Sequence, residues 1–439
     1  MSSSRASVSS ASADAWHDRS ARRPVTAALV AFCITASISA QAPEPVIRVT
    51  FKEAIDRAVD KNPSVAAAAT RILAAEGLIR QARSAALFQL TGNVTTTTLN
   101  RGVEFQGSTV TPQSQVTASL TATMPVVSAA TWARRAQAID TKGIAELTVA
   151  DVKRQIAFST ADAYLAIIAQ RRVVDANLRA RDVAKAHFDL ATQLEQRGTG
   201  SRLNALRAQQ QFSIDEGLVE TARLALFHAQ EALGVLIVVD GPADASDEPD
   251  FAAAAEAPSL LTSRTDLKLF SAQQQASERI VRDSSKDFWP SLDAIFQPSA
   301  TYPAQFFLPA NSWRFLLQGN VPIFDSGQRS SARIQREAAL EQSRVTLGGA
   351  MTQASSQVRR AREAVASGER TLASARAAAD QAREVVNITN ISFRAGAATN
   401  IEVIDAERGA RDADTAVAAA EDILRRARLE LLDALGRFP

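Results

Sequence analysis

Glu402 and Asp405 are the residues whose spacing most invites a chemical reading. Three positions apart, they share one face of the helix expected after the turn at Gly396. Carboxylates gathered on one face attract cations and discourage anions. The same two acids suit a helix first turn, where the dipole favours negative charge, and the residues alone leave both readings open. Catalysis has no comparable footing. The chain carries no GxxxxGK[ST], no HExxH, no CxxC and no GxSxG. His187 and His228 lie singly within helical segments and read as packing or surface histidines. The sequence predicts no enzymatic activity, no cofactor and no metal site.

The elements that position the two acids begin after an expected signal peptide. Arg22-Arg23 precede an apolar run from Val25 to about Ile38, followed by Ser39-Ala40-Gln41-Ala42. Basic residues, a short apolar core and a small-residue exit define a secretory signal, cleaved after Ala40 or Ala42. Residues 1–42 are thus read as signal peptide with an N-terminal extension, and His17 and the single cysteine, Cys33, go with it. Phe32 and Ala31 before Cys33 do not form a lipid-attachment site. A mature chain without cysteine suits an oxidising compartment. In the 439 residues aromatics make up only 5%, the net charge is +2, and basic and acidic residues are interspersed, so nucleic acid is not an expected partner. Alanine-rich, aromatic-poor composition favours long helices packed on small side chains.

The mature chain reads as one plan written twice. Met124-Pro125-Val126-Val127-Ser128 recurs as Val321-Pro322-Ile323-Phe324-Asp325, and Arg197-Gly198-Thr199-Gly200 as Arg394-Ala395-Gly396-Ala397, both 197 residues later. Both halves close on Ala-Leu-Gly, at Ala232 to Gly234 and Ala434 to Gly436. The expected layout is repeat one over 43–239, an acidic, Ala/Pro-rich linker over 240–258, and repeat two over 259–439. Each repeat predicts a helix, two strands, a very long proline-free helix, a tight turn and a helix. The long helices, from Ser128 to about Gln196 and from Gly327 to about Phe393, would each rise about 100 Å. In the second, Val358, Val365, Leu372, Ala379 and Val386 form one row of a seven-residue repeat. Ala361, Gly368, Ala375 and Ala382 form the other, the pattern of coiled-coil packing.

Strands are expected over 88–124 and 290–322. Val116, Ala118, Leu120, Ala122 and Met124 alternate with hydroxyl residues, as Trp313, Phe315, Leu317 and Gly319 alternate with Arg314, Gln318 and Asn320. Such runs suit a tilted membrane-barrel strand or a water-soluble sandwich. Tyr302, Phe306, Phe307 and Trp313 cluster at the tip of the second hairpin, as in an aromatic belt at a membrane interface. Four strands cannot close a membrane barrel, since the smallest have about eight, so a membrane reading requires several copies of the chain.

From about Val49 onward the order and spacing of these features resemble the TolC family of outer-membrane efflux and secretion channels. The resemblance is carried by Val49-Thr50-Phe51-Lys52-Glu53-Ala54-Ile55 with Asn62-Pro63-Ser64-Val65, and by Val321-Pro322-Ile323-Phe324-Asp325-Ser326-Gly327. It continues through Phe393-Arg394-Ala395-Gly396 and Leu429-Glu430-Leu431-Leu432-Asp433-Ala434-Leu435-Gly436. It implies a fold that is mainly α with a small β-barrel contribution. The expected form is a homotrimer whose twelve-stranded outer-membrane barrel continues into a long periplasmic α-helical coiled-coil barrel.

The implied function is passive passage of small molecules, metal ions or proteins, with an inner-membrane transporter supplying energy and a periplasmic adaptor joining the two. Gly198, Gly200, Ser201 and Arg202, with Gly396 and Thr399, would form the periplasmic tips that close the duct at rest and dock the adaptor. Glu402 and Asp405 fall on acidic positions of the family's entrance. Asn204, preceded by Leu203, stands where the family often has an aspartate, so a differently or more weakly latched entrance is expected. The competing reading is an exported, soluble coiled-coil structural or adaptor protein of a transport complex. An adaptor would show one central hairpin flanked by β segments, without two equivalent halves.

Overall fold

The computed structural model describes residues 46–251 and 260–438; the expected signal peptide, His17, Cys33 and most of the second half of the expected linker lie outside them. The chain runs through β1 (Ile47–Val49), α1 (Phe51–Lys61), α2 (Pro63–Ser84), β2 (Gln89–Thr98), a small hairpin of β3 (Val103–Phe105) and β4 (Ser108–Thr111), β5 (Ser114–Val127), α3 (Ala129–Gln196) and α4 (Arg202–Leu236). It continues through β6 (Ala243–Ala245), α5 (Leu260–Ser263), α6 (Thr265–Asp283), β7 (Ser291–Tyr302), β8 (Asn311–Asn320), α7 (Gln328–Arg394) and α8 (Asn400–Ala434).

Helices α3 and α7, of 68 and 67 residues, each rise about 100 Å. Shorter helices accompany each: α2 and α4 pack on α3, while α6 and α8 pack on α7. Where the shorter helices meet, side chains close the helix ends. The Asn62 amide donates to the carbonyl of Leu236, the last residue of α4 (3.2 Å), and the Arg264 guanidinium donates to that of Ala434, the last residue of α8 (3.3 Å). Terminal carbonyls that lack an intrahelical partner are satisfied in this way. Around this junction lies the main core, with Val49, Ile55, Tyr164, Leu165, Ile168, Leu233, Ile237 and Leu429. Buried Tyr164 donates its hydroxyl proton to the Asp247 carboxylate and accepts from the Asp247 backbone N–H (3.1 Å). Burial, and then this carboxylate, push its phenol up to about 12.

The seven-residue rows of α7 face α8. Val358, Ala361, Gly368, Leu372 and Ala379 are buried, and Val365, Ala375, Ala382 and Val386 are half-buried. Leu372 packs with Ala420 and Leu424. At Gly368 the helices approach so closely that an added Cβ would lie 3.3 Å from the Leu424 Cα. Gly368→Leu is expected to wedge α7 from α8 and cost about 1–3 kcal/mol. A lowered midpoint of thermal unfolding would register it, with Gly368→Ala falling between the two.

The two halves share this plan but not every landmark that the sequence aligns. Arg197 is the C-cap of α3 (φ −81°, ψ −3°), and its conformational equivalent is Ala395 (φ −81°, ψ −3°), one residue beyond the matched Arg394. Pro125 lies inside β5, at a register shift against β7, whereas Pro322 follows the end of β8. Gly436 leaves α8 with φ 67°, and the residue that leaves α4 with positive φ is Val238 (56°), not Gly234, which remains inside the helix. Part of the stretch read as linker is also structured: β6 pairs in parallel with β1. Three-residue strands are too short to display an alternation.

Apart from the β3–β4 hairpin, which is a sheet of its own, the remaining strands form one antiparallel sheet in the order β2-β5-β7-β8. Its register places Leu90 opposite Ala122, Ala122 opposite Phe296 and Phe296 opposite Phe315, so one face carries Leu90, Val94, Leu120, Met124, Phe296, Trp313 and Phe315 across all four strands. The other face is polar, with Thr91, Thr121, Thr123, Asp293, Gln297 and Arg314. Ile295, which interrupts the alternation, meets Leu316 there as an apolar pair.

Candidate functional site

Two regions, separated by the length of α3, carry functional geometry. The first is the sheet. Its apolar face is uncovered: Val94 is 73% and Trp313 71% exposed, and Leu90, Leu120, Met124 and Phe315 are exposed as well, while on the edge strands β2 and β8 the polar face is also open. Along β5 the hydroxyl residues Thr117, Ser119, Thr121 and Thr123 are half-buried while Val116, Leu120 and Met124 stand outside. Water-soluble sheets bury the apolar face; a sheet that exposes it has the polarity of a barrel in lipid. Strands β2 and β8 each have an unpaired edge. Trp313 lies on the apolar face beside Phe296, with ring centroids 6.0 Å apart. Tyr302 ends β7, and Phe306 and Phe307 pack edge to face at 5.1 Å in the following loop. All four of the expected interface aromatics are exposed. The Phe306 N–H donates to the Val110 carbonyl (3.3 Å), tying this loop to the β3–β4 hairpin. Among the described residues no helix is long and apolar enough to cross a membrane.

The second region is the opposite end, where α3 turns into α4 and α7 into α8. Gly198 (φ 73°) and Gly396 (φ 75°) take the left-handed conformation that ends each long helix. The N–H groups of Thr199 and Gly200 then return to the Leu194 carbonyl (3.0 and 2.9 Å), and that of Ala397 to Ser392 (2.8 Å). Ser201 caps α4, accepting from the Leu203 N–H (3.2 Å), and Arg202 is its first helical residue. Thr399 caps α8 through a reciprocal box. Its backbone N–H donates to the Glu402 carboxylate (2.6 Å), and its hydroxyl oxygen accepts from the Glu402 N–H (3.4 Å). These bonds from Thr399 hold the Glu402 carboxyl below the usual range. Glu402 is therefore an exposed first-turn cap in this chain, while Asp405 is exposed one turn on, 3.8 Å from Arg408.

Asn204 contributes its backbone rather than its side chain: the Asn400 amide donates to its carbonyl (3.4 Å). The partner of Asn400 Oδ1 is His187 Nε2, 2.7 Å away. His187 is thus a packing histidine, as expected, but not a lone one. It is buried against Phe393, and burial pushes its pKa down, opposed by the bond to Asn400.

Further along, the α7/α8 hairpin is joined to the α3/α4 hairpin by a series of polar rungs. Arg408 donates to Gln211 (2.7 Å) and Arg411 to Asp215 (2.8 Å), and within α4 Gln211 donates to both oxygens of Asp215 (3.1 Å), linking the two rungs. Arg172 pairs with Glu421, and Arg426 with Asp162. Sequence reading missed the cluster at Gln211, Asp215, Glu407, Arg408 and Arg411. A signal existed: buried Ala208, Asp215 and Ala222 recur at seven-residue spacing, so a carboxylate occupies a core position of a coiled coil. Among the described residues no group of acidic, His or Cys side chains is placed to hold a metal ion.

The model for outer membrane efflux proteins matches the chain twice, over residues 54–237 and 257–437. This chain belongs to the outer membrane efflux protein family. The efflux protein shares its fold with the outer membrane protein VceC of Vibrio cholerae, at TM-score 0.75 and 18% identity over 88% of this chain and 96% of that one. It is also similar to the CmeC outer membrane channel of Campylobacter jejuni, at TM-score 0.76 and 14% identity over 88% and 86%. The open-state MtrE channel of Neisseria gonorrhoeae matches at TM-score 0.73 and 16% identity over 88% of both chains. No curated protein sequence gives a significant match. As an outer membrane efflux protein of the TolC family, the chain is a component of an outer-membrane exit duct whose helices extend into the periplasm. The soluble coiled-coil alternative falls with that membership.

Proposed function

We propose that the efflux protein acts as a homotrimer, two repeats per chain, whose twelve strands close one barrel in outer-membrane lipid and whose helices form a tube open to the cell exterior. The carrying observation is the sheet with its apolar face outward and both edges unpaired: lipid covers the face, and β8 of one copy meets β2 of the next. The helical tips at Gly198 to Arg202 and Gly396 to Thr399 serve as the periplasmic entrance and as the docking point for an adaptor fed by an inner-membrane transporter. Passage through the duct is passive. Tyr302, Phe306, Phe307 and Trp313 sit at the membrane interface. In this reading Glu402 and Asp405 of three copies ring the entrance, and the Asn400 bridge to His187 and Asn204 stands in for a charged latch.

Planar-bilayer currents test the entrance. The unmodified protein is expected to prefer cations, and Glu402→Gln with Asp405→Lys to move the reversal potential toward that of the anion. An unchanged reversal potential would remove both acids from the conduction path.

A further inference from the structure

Glu407 belongs neither to the helix caps nor to the rungs that join the two hairpins, yet it lies between them. It is 9% exposed, and among the described residues its Oε2 is the buried side-chain oxygen without a hydrogen-bond partner. It opens onto a cavity of about 250 Å³ lined by residues of all four helices of the tip region and open on one side to solvent. The charged groups around that cavity are Arg179 from α3, Asp215 from α4, Arg383 from α7, and Arg411 and Asp414 on its own helix, with Arg408 adjacent. Most of the cations are engaged elsewhere. Arg411 holds Asp215 and Asp412 (both 2.8 Å), Arg383 holds Asp414 (2.6 Å), and Arg408 holds Gln211 (2.7 Å). Arg179 is exposed on α3. Facing Glu407 across the gap between hairpins is Asp215, itself only 4% exposed.

We propose that Glu407 is a proton-operated catch between the two hairpins: neutral, it lets α8 lie against α4 beside Asp215; ionised, it forces the helices apart and loosens the tip. A buried carboxylate without a partner is costly, and a second carboxylate beside it raises the cost. Burial first, and the charge of Asp215 second, push the Glu407 carboxyl up to about 8. When the hairpins part, water returns it to the ordinary range. The closed arrangement therefore binds the extra proton. Its advantage is complete below the ordinary glutamate range and is lost as pH rises from there to about 8, beyond which the loss is constant. Acid latches the catch and alkali releases it.

The consequence for conduction rests on the tip being the duct's entrance; the separation of the helices does not. Nitroxide labels on Gln209→Cys in α4 and Gly409→Cys in α8, both at exposed positions, read that separation in the full chain with Cys33→Ser. In detergent, the distance distribution is expected to shift to longer values between about pH 5.5 and about pH 9.5. With Glu407→Gln added it should stay short at both. A distribution in the parent that ignores pH, or a Gln variant that moves as far as its parent, overturns the proposal. Bilayer currents over the same range separate the two readings. A rise at high pH in the wild type and not in Glu407→Gln joins the catch to the entrance. A pH-dependent helix separation with unchanged current upholds the catch and counts against the tip as the gate.

Discussion

Arginine in place of Leu120 is expected to strip the protein from the outer-membrane fraction, whereas arginine in place of the neighbouring Thr121 is expected to leave it there. The two positions are adjacent in β5 but lie on opposite faces. Leu120 is exposed amid Val94, Met124 and Phe296; Thr121 is half-buried opposite Thr91. A cationic side chain on the lipid face of a barrel strand costs about 2–4 kcal/mol near the bilayer midplane, and every copy in a closed barrel repeats it. On the polar face the same side chain meets hydroxyls and water. Fractionation of cells expressing each variant reads the difference directly. Equal recovery of both in the outer membrane would mean that the faces have been assigned wrongly.

Removing Asp215 should have the next largest consequence, at the other end of the molecule. Its carboxylate is shared by Arg411 and Gln211, and the Arg411 side chain is itself only 15% exposed. Truncating Asp215 leaves Arg411 with Asp412 alone (2.8 Å) and Gln211 without its acceptor, a loss below the about 3–5 kcal/mol of a buried pair that has no second partner. Asp215→Ala is therefore expected to speed hydrogen exchange in the tip-proximal turns of α4 and α8 by about one to two powers of ten. The β-sheet amides should be unaffected. Asp215→Asn, which keeps an acceptor, should fall between. Unaltered exchange in Asp215→Ala would show that the rungs between the hairpins do not hold the tip.

Much of this architecture is legible in the sequence, because its strongest signals are long. A proline-free run the length of α3 has few structural meanings, and the alternation of Val116 to Met124 persists for enough residues to declare a strand. The rows through Val358 and Ala361 survive as the buried seam of α7 for the same reason. What stays hidden is what depends on short elements or on contacts distant in sequence. The pairing of β1 with β6 joins residues whose local patterns are silent. Matching Gly234 with Gly436 fails because identical residues serve different ends: one is inside a helix, the other supplies a left-handed exit that Val238 supplies in the first half. At the tip, Glu402 and Asp405 share a face as spacing dictates, yet the reciprocal bonds with Thr399 become visible only in three dimensions. Glu407 looks like one more surface acid among many until α4 brings Asp215 beside it.

The central claim, that several copies of this open sheet close a single barrel in the outer membrane, is met most directly by electrophoresis of the detergent-extracted outer-membrane fraction with and without boiling, paired with mass by light scattering. Three copies closed into one barrel are expected to run as an SDS-resistant species at three times the subunit mass that collapses to the monomer on heating. A monomer recovered from the soluble periplasm, indifferent to heating, would contradict it.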